Sequence, residues 1–306
     1  MMPPDLRAVK AAILGGDARE LVLLEALSAC GAQVRVFGLP APRGRGVACG
    51  SPEEAVSGAQ VVILPVPGVV DEEGRLSGAF LTEPLFVDDD LVGRFPSTAP
   101  VLVGKARPYL RKLLSRHGLR VIELLERPEM AILNSIPSAE GAIQMAMERM
   151  PVTIHGSRAL VLGYGRTGIT LARMLRGIGA ASVVAARNPG QLARAFEAGH
   201  EAVPLATLPD QAAGADVIFN TVPAMILTAD VLDRVRPPTV IIDLASAPGG
   251  TDFAAARARG LDAVLAPALP GRVAPRTAGE ILAKVVLETL TRELGLTGLA
   301  ALNGGA

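Results

Sequence analysis

Three glycines, Gly163, Gly165 and Gly168, stand at GxGxxG spacing in "VLGYGRTGITLAR", after a short apolar run and before helical spacing. In that setting the first glycine permits a tight turn. The second lets a pyrophosphate approach the main chain, and the third lets helix and strand pack closely. Backbone N–H groups at the helix start, around Arg166 and Thr167, are then free to hold an anion. The expected ligand is a dinucleotide. The next strand, "ASVVAAR", ends in Arg187 and Asn188, where an acid would accept from a ribose 2′-hydroxyl. A guanidinium suits a 2′-phosphate instead, so the expected cofactor is NADP.

Later loops fall at expected strand ends, where doubly wound sheets bind ligands. They are "FNTVPA" with Asn220, Thr221, Val222 and Pro223, "DLASAPGGTDF" with Ala245, and "APALPGRVAPRTAG" with Leu269 and Pro270. These residues are expected to line the cofactor, with Asn220 and Thr221 towards the nicotinamide ribose. Asp252 reads as a helix cap, and Asp243 reads equally as structural or functional. In the first half, "LGGDARE" places Asp17 and Arg19 at a strand end, and "GKARP" places Lys105 in a neighbouring loop. A second dinucleotide at "LGGDARE" is the weaker reading, because GxGxxG is not completed. Arg19, Lys105 and Arg276 are expected to pair with substrate carboxylates, as arginine does bidentately. Asp17 or Glu140 is expected to accept a proton, with Lys105 or water as alternatives. His117, His155 and His200 lie outside these loops and read as structural or exposed. Neither a metal-ligand set nor a Ser-His-Asp arrangement is visible, so no metal is expected.

Short apolar strands alternating with helices must carry these loops. Strands are expected near 10–16, 32–38, 59–68, 99–105 and 119–126, then near 158–163, 181–186, 216–220, 239–243 and 262–266. This alternation implies an α/β fold. Two Rossmann-like or flavodoxin-like parallel-sheet domains are expected, separated by a cleft and joined by hinge helices. Residues 1–133 form the substrate domain and 134–150 a linking helix capped by Ser138. Residues 151–306 form the NADP-binding domain. The apolar helix over 277–294 is expected to pack back on the first domain, and the tail "GLAALNGGA" to fray.

The chain has 306 residues, with 30 Lys and Arg against 30 Asp and Glu, and no Trp. Zero net charge and scarce aromatics argue against nucleic-acid binding. Strand-length apolar runs argue against a membrane span, and the first residues lack signal-peptide regions, so a cytoplasmic protein is expected. Its two cysteines exclude a disulfide framework.

The segments "ILGGDAR", "ILPVPG", "NSIPSAEGAI", "TIHGS", "VLGYGRTGITLAR", "FNTVPA", "IIDLASAPGGTDF" and "LAPALPGRVAPRTAG" together resemble the bacterial dipicolinate synthase A-subunit family, over about Ile13 to Leu290. One departure is Glu20, where the family often has Gln. A more distant similarity is to the alanine dehydrogenase and adenosylhomocysteinase architecture. The resemblance implies oxidation of a dihydrodipicolinate-type ring, derived from the lysine pathway, to pyridine-2,6-dicarboxylate in the mother cell during sporulation. It also implies a flavodoxin-like B-subunit of dipicolinate synthase as partner. A homo-oligomer is expected as well. Two other readings stand beside it. One is an amino- or hydroxy-acid dehydrogenase on the same architecture, and the other is a non-catalytic NADP-binding scaffold protein.

Overall fold

The computed structural model describes residues 4–295, so the tail "GLAALNGGA" lies outside the described residues. The chain divides into two units. One runs to Ala131 and resumes at Pro275, and the other spans Ile132–Ala274.

The first unit contains β1 (Lys10–Leu14), α1 (Ala18–Ala29), β2 (Gln33–Phe37), β3 (Val47–Ala48), α2 (Pro52–Val56), β4 (Val61–Ile63), α3 (Asp89–Val92), β5 (Val101–Val103), α4 (Pro108–Arg116) and β6 (Val121–Glu123). Helix α5 (Pro128–Arg149) then carries the chain into the second unit. There follow β7 (Arg158–Leu162), α6 (Arg166–Gly177), β8 (Ala181–Ala186), α7 (Pro189–Glu197), β9 (Glu201–Pro204), α8 (Leu208–Ala213), β10 (Val217–Asn220), α9 (Ala229–Leu232), β11 (Val240–Asp243), α10 (Phe253–Ala258), β12 (Asp262–Leu265) and α11 (Leu269–Val273). Helix α12 (Pro275–Glu293) belongs again to the first unit.

Both sheets have six parallel strands, ordered β3-β2-β1-β4-β5-β6 and β12-β11-β10-β7-β8-β9. Counted within each unit, both follow the Rossmann order 3-2-1-4-5-6, and neither has the flavodoxin order. The central strands are covered on both faces and so read as near-continuous apolar runs. Alternation still sorts them. Ala159 and Val161 of β7 enter one core of the second unit, while Leu160 and Leu162 enter the other.

The linking helix differs from expectation. It begins at Pro128, well before Ser138, and continues through Pro137. Proline at the first turn suits a helix start, because its missing N–H has no intrahelical role there. Around the internal proline, the hydroxyls of Ser135 and Ser138 donate to the carbonyls of Ile132 (2.6 Å) and Asn134 (2.8 Å). Ser138 is therefore a mid-helix residue bonding back, which is the other common use of serine. From Ile132 onward this helix groups with the second unit, which ends at Ala274. Helix α12 packs on α1. A Cβ on Gly279 would stand 2.6 Å from that of Val22, so glycine sets how closely the two helices approach.

Candidate functional site

In the second sheet the strand order reverses between β7 and β10, where β8 lies on one side of β7 and β10 on the other. Ligands of doubly wound folds bind outside the strand ends at this point. A cavity of about 560 Å³ opens there. Its lining includes Gly163, Gly165, Arg166 and Thr167 after β7, Arg187 and Asn188 after β8, and Thr221, Val222 and Pro223 after β10.

The glycine turn is built as its spacing requires. Gly163 has φ of 88°, and a Cβ there would strike Thr221 Oγ1 at 2.8 Å. A Cβ on Gly168 would stand 2.2 Å from the Gly163 carbonyl oxygen. Gly165 is the N-cap of α6, and no side chain caps that helix. A Cβ on Gly165 would meet nothing within 4 Å. The first N–H groups of α6 thus open on the cavity without a side-chain acceptor, carrying the positive end of the helix dipole. Arg187 and Arg166 are exposed and make no ion pair among the described residues. Asn188 caps α7, its Oδ1 accepting from the N–H groups of Gly190 (2.7 Å) and Gln191 (3.3 Å).

The Thr221–Pro223 wall is held from behind. Asn220, fully buried, donates from Nδ2 to the Val222 carbonyl (3.1 Å) and to Asp243 Oδ1 (3.0 Å), and its Oδ1 accepts from Val222 N–H (2.9 Å). Asp243 Oδ1 also accepts from Ala245 N–H (2.9 Å). Its Oδ2 accepts from Gly250 N–H (2.8 Å) and the Thr251 hydroxyl (2.7 Å). This buried carboxylate receives four hydrogen bonds and joins the loops after β10 and β11. Asn220 is therefore part of the framework and does not face a ribose. Thr221 donates to the Leu162 carbonyl at 2.8 Å while still lining the cavity.

The equivalent turn of the first unit is closed. Asp17 caps α1, and Glu20 completes a capping box by accepting from Asp17 N–H at 2.8 Å. The Gly16 N–H donates to the Ser77 carbonyl (3.1 Å), and Gly16 and Gly78 form a parallel bridge. A Cβ on Gly15 would stand 2.7 Å from that same Ser77 oxygen. The segment around Ser77 therefore lies where a phosphate would ride, which answers the weaker reading of a second dinucleotide. Glu20 is almost fully buried and its Oε1 accepts from Val66 N–H at 3.0 Å, tying the loop after β4 to the loop after β1. Burial above all, with the Asp17 charge adding to it, holds the Glu20 carboxyl above its ordinary range.

Asp17 and Arg19 pair with each other. Arg19 Nη2 donates to Asp17 Oδ2 at 2.7 Å, and Nε to Oδ1 at 3.0 Å. Burial pushes the Asp17 carboxyl up, but the Arg19 hydrogen bonds outweigh it and hold the pKa below the ordinary value. Arg19 Nη1 bonds nothing among the described residues.

Lys105 is exposed in the loop after β5. Arg276 is exposed on α12 and pairs with Glu280 at 3.1 Å, so it belongs to the first unit and not to a second-domain loop. Glu140 lies on α5 in a groove that shares no residue with the glycine-loop cavity. Leu269 and Ala245 are buried, and neither they nor Pro270 line that cavity. The cavity adds Tyr164, Ala185, Ala186, Gln191 and Leu205. Leu205 follows β9, an edge strand of half-buried and exposed residues that no apolar run announces. Among the histidines, His117 bonds Asp89 at 3.0 Å and His155 faces the Ile178 carbonyl at 3.3 Å. His200 is buried edge-on against Tyr164.

A Rossmann sheet with a bare helix start at its switch point defines a dinucleotide-binding class of protein, and the comparisons with known proteins point within it to the dehydrogenases. Residues 134–248 match the D-isomer specific 2-hydroxyacid dehydrogenase NAD-binding domain, which supports a nicotinamide dinucleotide as the cofactor. Residues 10–125 match the N-terminal domain of the dipicolinate synthase A-subunit. The chain is 40% identical over 290 residues to the dipicolinate synthase A-subunit of Bacillus subtilis (strain 168), covering 93% of this chain and 97% of that one. The crystal structure of the dipicolinate synthase A-subunit from Bacillus halodurans superposes with a TM-score of 0.88 at 36% identity, covering 94% and 99% of the two chains. An L-alanine dehydrogenase shares the fold at a TM-score of 0.64 and 16% identity, covering 94% and 90%. The chain belongs to the dipicolinate synthase A-subunit family. Among the described residues, no helix is long and apolar enough to cross a membrane.

Proposed function

We propose that this chain carries out the NADP-dependent oxidation of a dihydrodipicolinate-type ring to pyridine-2,6-dicarboxylate. It would do so with a second, flavodoxin-like subunit, in the cytoplasm of the mother cell during sporulation. The observation that carries the cofactor half is the uncapped start of α6 facing a cavity that also holds the unpaired Arg187. The substrate half rests on family membership and on cations at strand ends of the first unit.

Loss of a hydride and a proton makes the ring aromatic, so the reaction runs towards reduced cofactor. When bound, the nicotinamide supplies the hydride acceptor at C4. The α6 N–H groups hold the pyrophosphate, and Arg187 holds the 2′-phosphate. Arg19 offers Nη1 to one ring carboxylate while Asp17 fixes the rest of its guanidinium, and Lys105 takes the other. Asp17 is a poor proton acceptor, since Arg19 lowers its pKa, so the ring proton leaves to water.

Two substitutions test the halves separately. Arg187→Ala weakens NADPH binding by about 10- to 100-fold, the worth of a charged hydrogen-bonded pair, and leaves NADH within about threefold. Titrating both nucleotides checks this; equal losses for the two would remove Arg187 from phosphate recognition. Arg19→Ala raises the substrate KM by at least about tenfold at unchanged NADPH affinity. Steady-state kinetics with the flavodoxin-like partner present reads that result, and an unchanged KM dismisses the role.

A further inference from the structure

Exposed large apolar side chains are normal when scattered and informative when they cluster. On the second unit three of them gather: Met147 at 57% exposure, Val152 at 53% and Ile178 at 39%. Met147 and Ile178 line two adjoining grooves of about 570 and 450 Å³, one over α5 and α6 and one reaching the loop after α5. Gly177 leaves the α6 side of the first groove bare, since a Cβ there would meet nothing within 4 Å. The flanks carry opposite charges. Glu140 and Glu148 stand two turns apart on α5, and Arg173 stands one turn before Gly177 on α6. All three are exposed and without an ion pair among the described residues.

We infer that this α5–α6 face binds the same face of a second copy of the chain. A twofold contact requires a self-complementary patch. With the axis running along the groove, the α5 flank of each copy lies over the α6 flank of the other. Glu140 of each copy then meets Arg173 of the other, a pair formed twice, and Met147, Val152 and Ile178 bury one another at the centre. The pattern is an apolar core with a charged rim, as in a specific interface. This inference is independent of the reaction proposed above, because none of these residues touches the dinucleotide cavity.

Sedimentation velocity on the full chain, across roughly 1–50 µM, tests it. The expected result is a dimer. Met147→Glu and Ile178→Glu each shift it to monomer, weakening self-association by at least about tenfold, because each buries two charges at the twofold centre. Both side chains are exposed in the single chain, so the thermal midpoint and NADPH affinity stay as in the parent protein. Phe196→Glu, at another exposed position, leaves the dimer intact. A monomeric parent protein overturns the inference, as does a dimer that survives both substitutions. A monomer that captures the flavodoxin-like partner, and loses it on Met147→Glu, also overturns it and gives the face to that partner.

Discussion

Gly165→Asp is expected to abolish dinucleotide binding without loss of stability. The position is extended, with φ of −89° and ψ of −165°, and open space surrounds its missing Cβ. An aspartate there accepts from the first N–H groups of α6 and copies the cap that Asp17 makes on α1. Replacing a glycine N-cap by aspartate stabilises a helix by a few tenths of a kcal/mol. The same carboxylate fills the place of the pyrophosphate and repels it. A loss of at least about 100-fold in NADPH affinity, about 2.7 kcal/mol, follows. Gly168→Ala behaves differently. Its methyl would press on the Gly163 carbonyl at 2.2 Å, so binding and stability fall together, the latter by about 1–3 kcal/mol. Calorimetric titration and thermal unfolding of the two variants distinguish the roles. Undiminished NADPH binding by Gly165→Asp would remove the pyrophosphate from the α6 start.

The second large effect belongs to Asp243. Its four hydrogen bonds come from two loops, and its removal orphans donors at Asn220, Ala245, Gly250 and Thr251. An unsatisfied buried donor costs about 1–3 kcal/mol, and water entering the gap recovers part of that. Asp243→Ala therefore destabilises the protein by about 4 kcal/mol, with a fall in thermal midpoint of roughly 10 °C. Asp243→Asn keeps the shape but turns an amide towards donors, and loses about half as much. Because Asn220 supports Val222, NADPH affinity drops in both variants. A midpoint within about 2 °C of the parent for Asp243→Ala would show that the network is dispensable.

The parallel sheets, the glycine turn and the place of Arg187 at the end of β8 were legible because each follows from local pattern. Buried strands need apolar runs, and a phosphate turn needs glycine at fixed spacing. What was not legible depended on partners distant in sequence. Asn220 and Thr221 sit at a strand end, where ligand contact is the usual reading. Only the fold brings Asp243 beside Asn220 and turns that amide inward. Asp17 looks like a cleft acid from "LGGDARE", yet with Glu20 three residues on it also has the residue types and spacing of a capping box. The sealing of Gly15 and Gly16 by the segment around Ser77 comes from about sixty residues away, and no motif announces it. Glu20 moreover accepts from two backbone amides at once, those of Asp17 and Val66, and only the fold brings the second one near.

The return of α12 to α1 has a consequence for biosynthesis. The unit spanning Ile132–Ala274 is continuous in the chain, so it is complete on the ribosome before the α12 codons are translated. The other unit lacks one wall until Pro275–Glu293 has left the exit tunnel, and until then the α1 surface around Val22 waits without its cover. The earlier part of the polypeptide can thus complete its fold only after the later part has been synthesised.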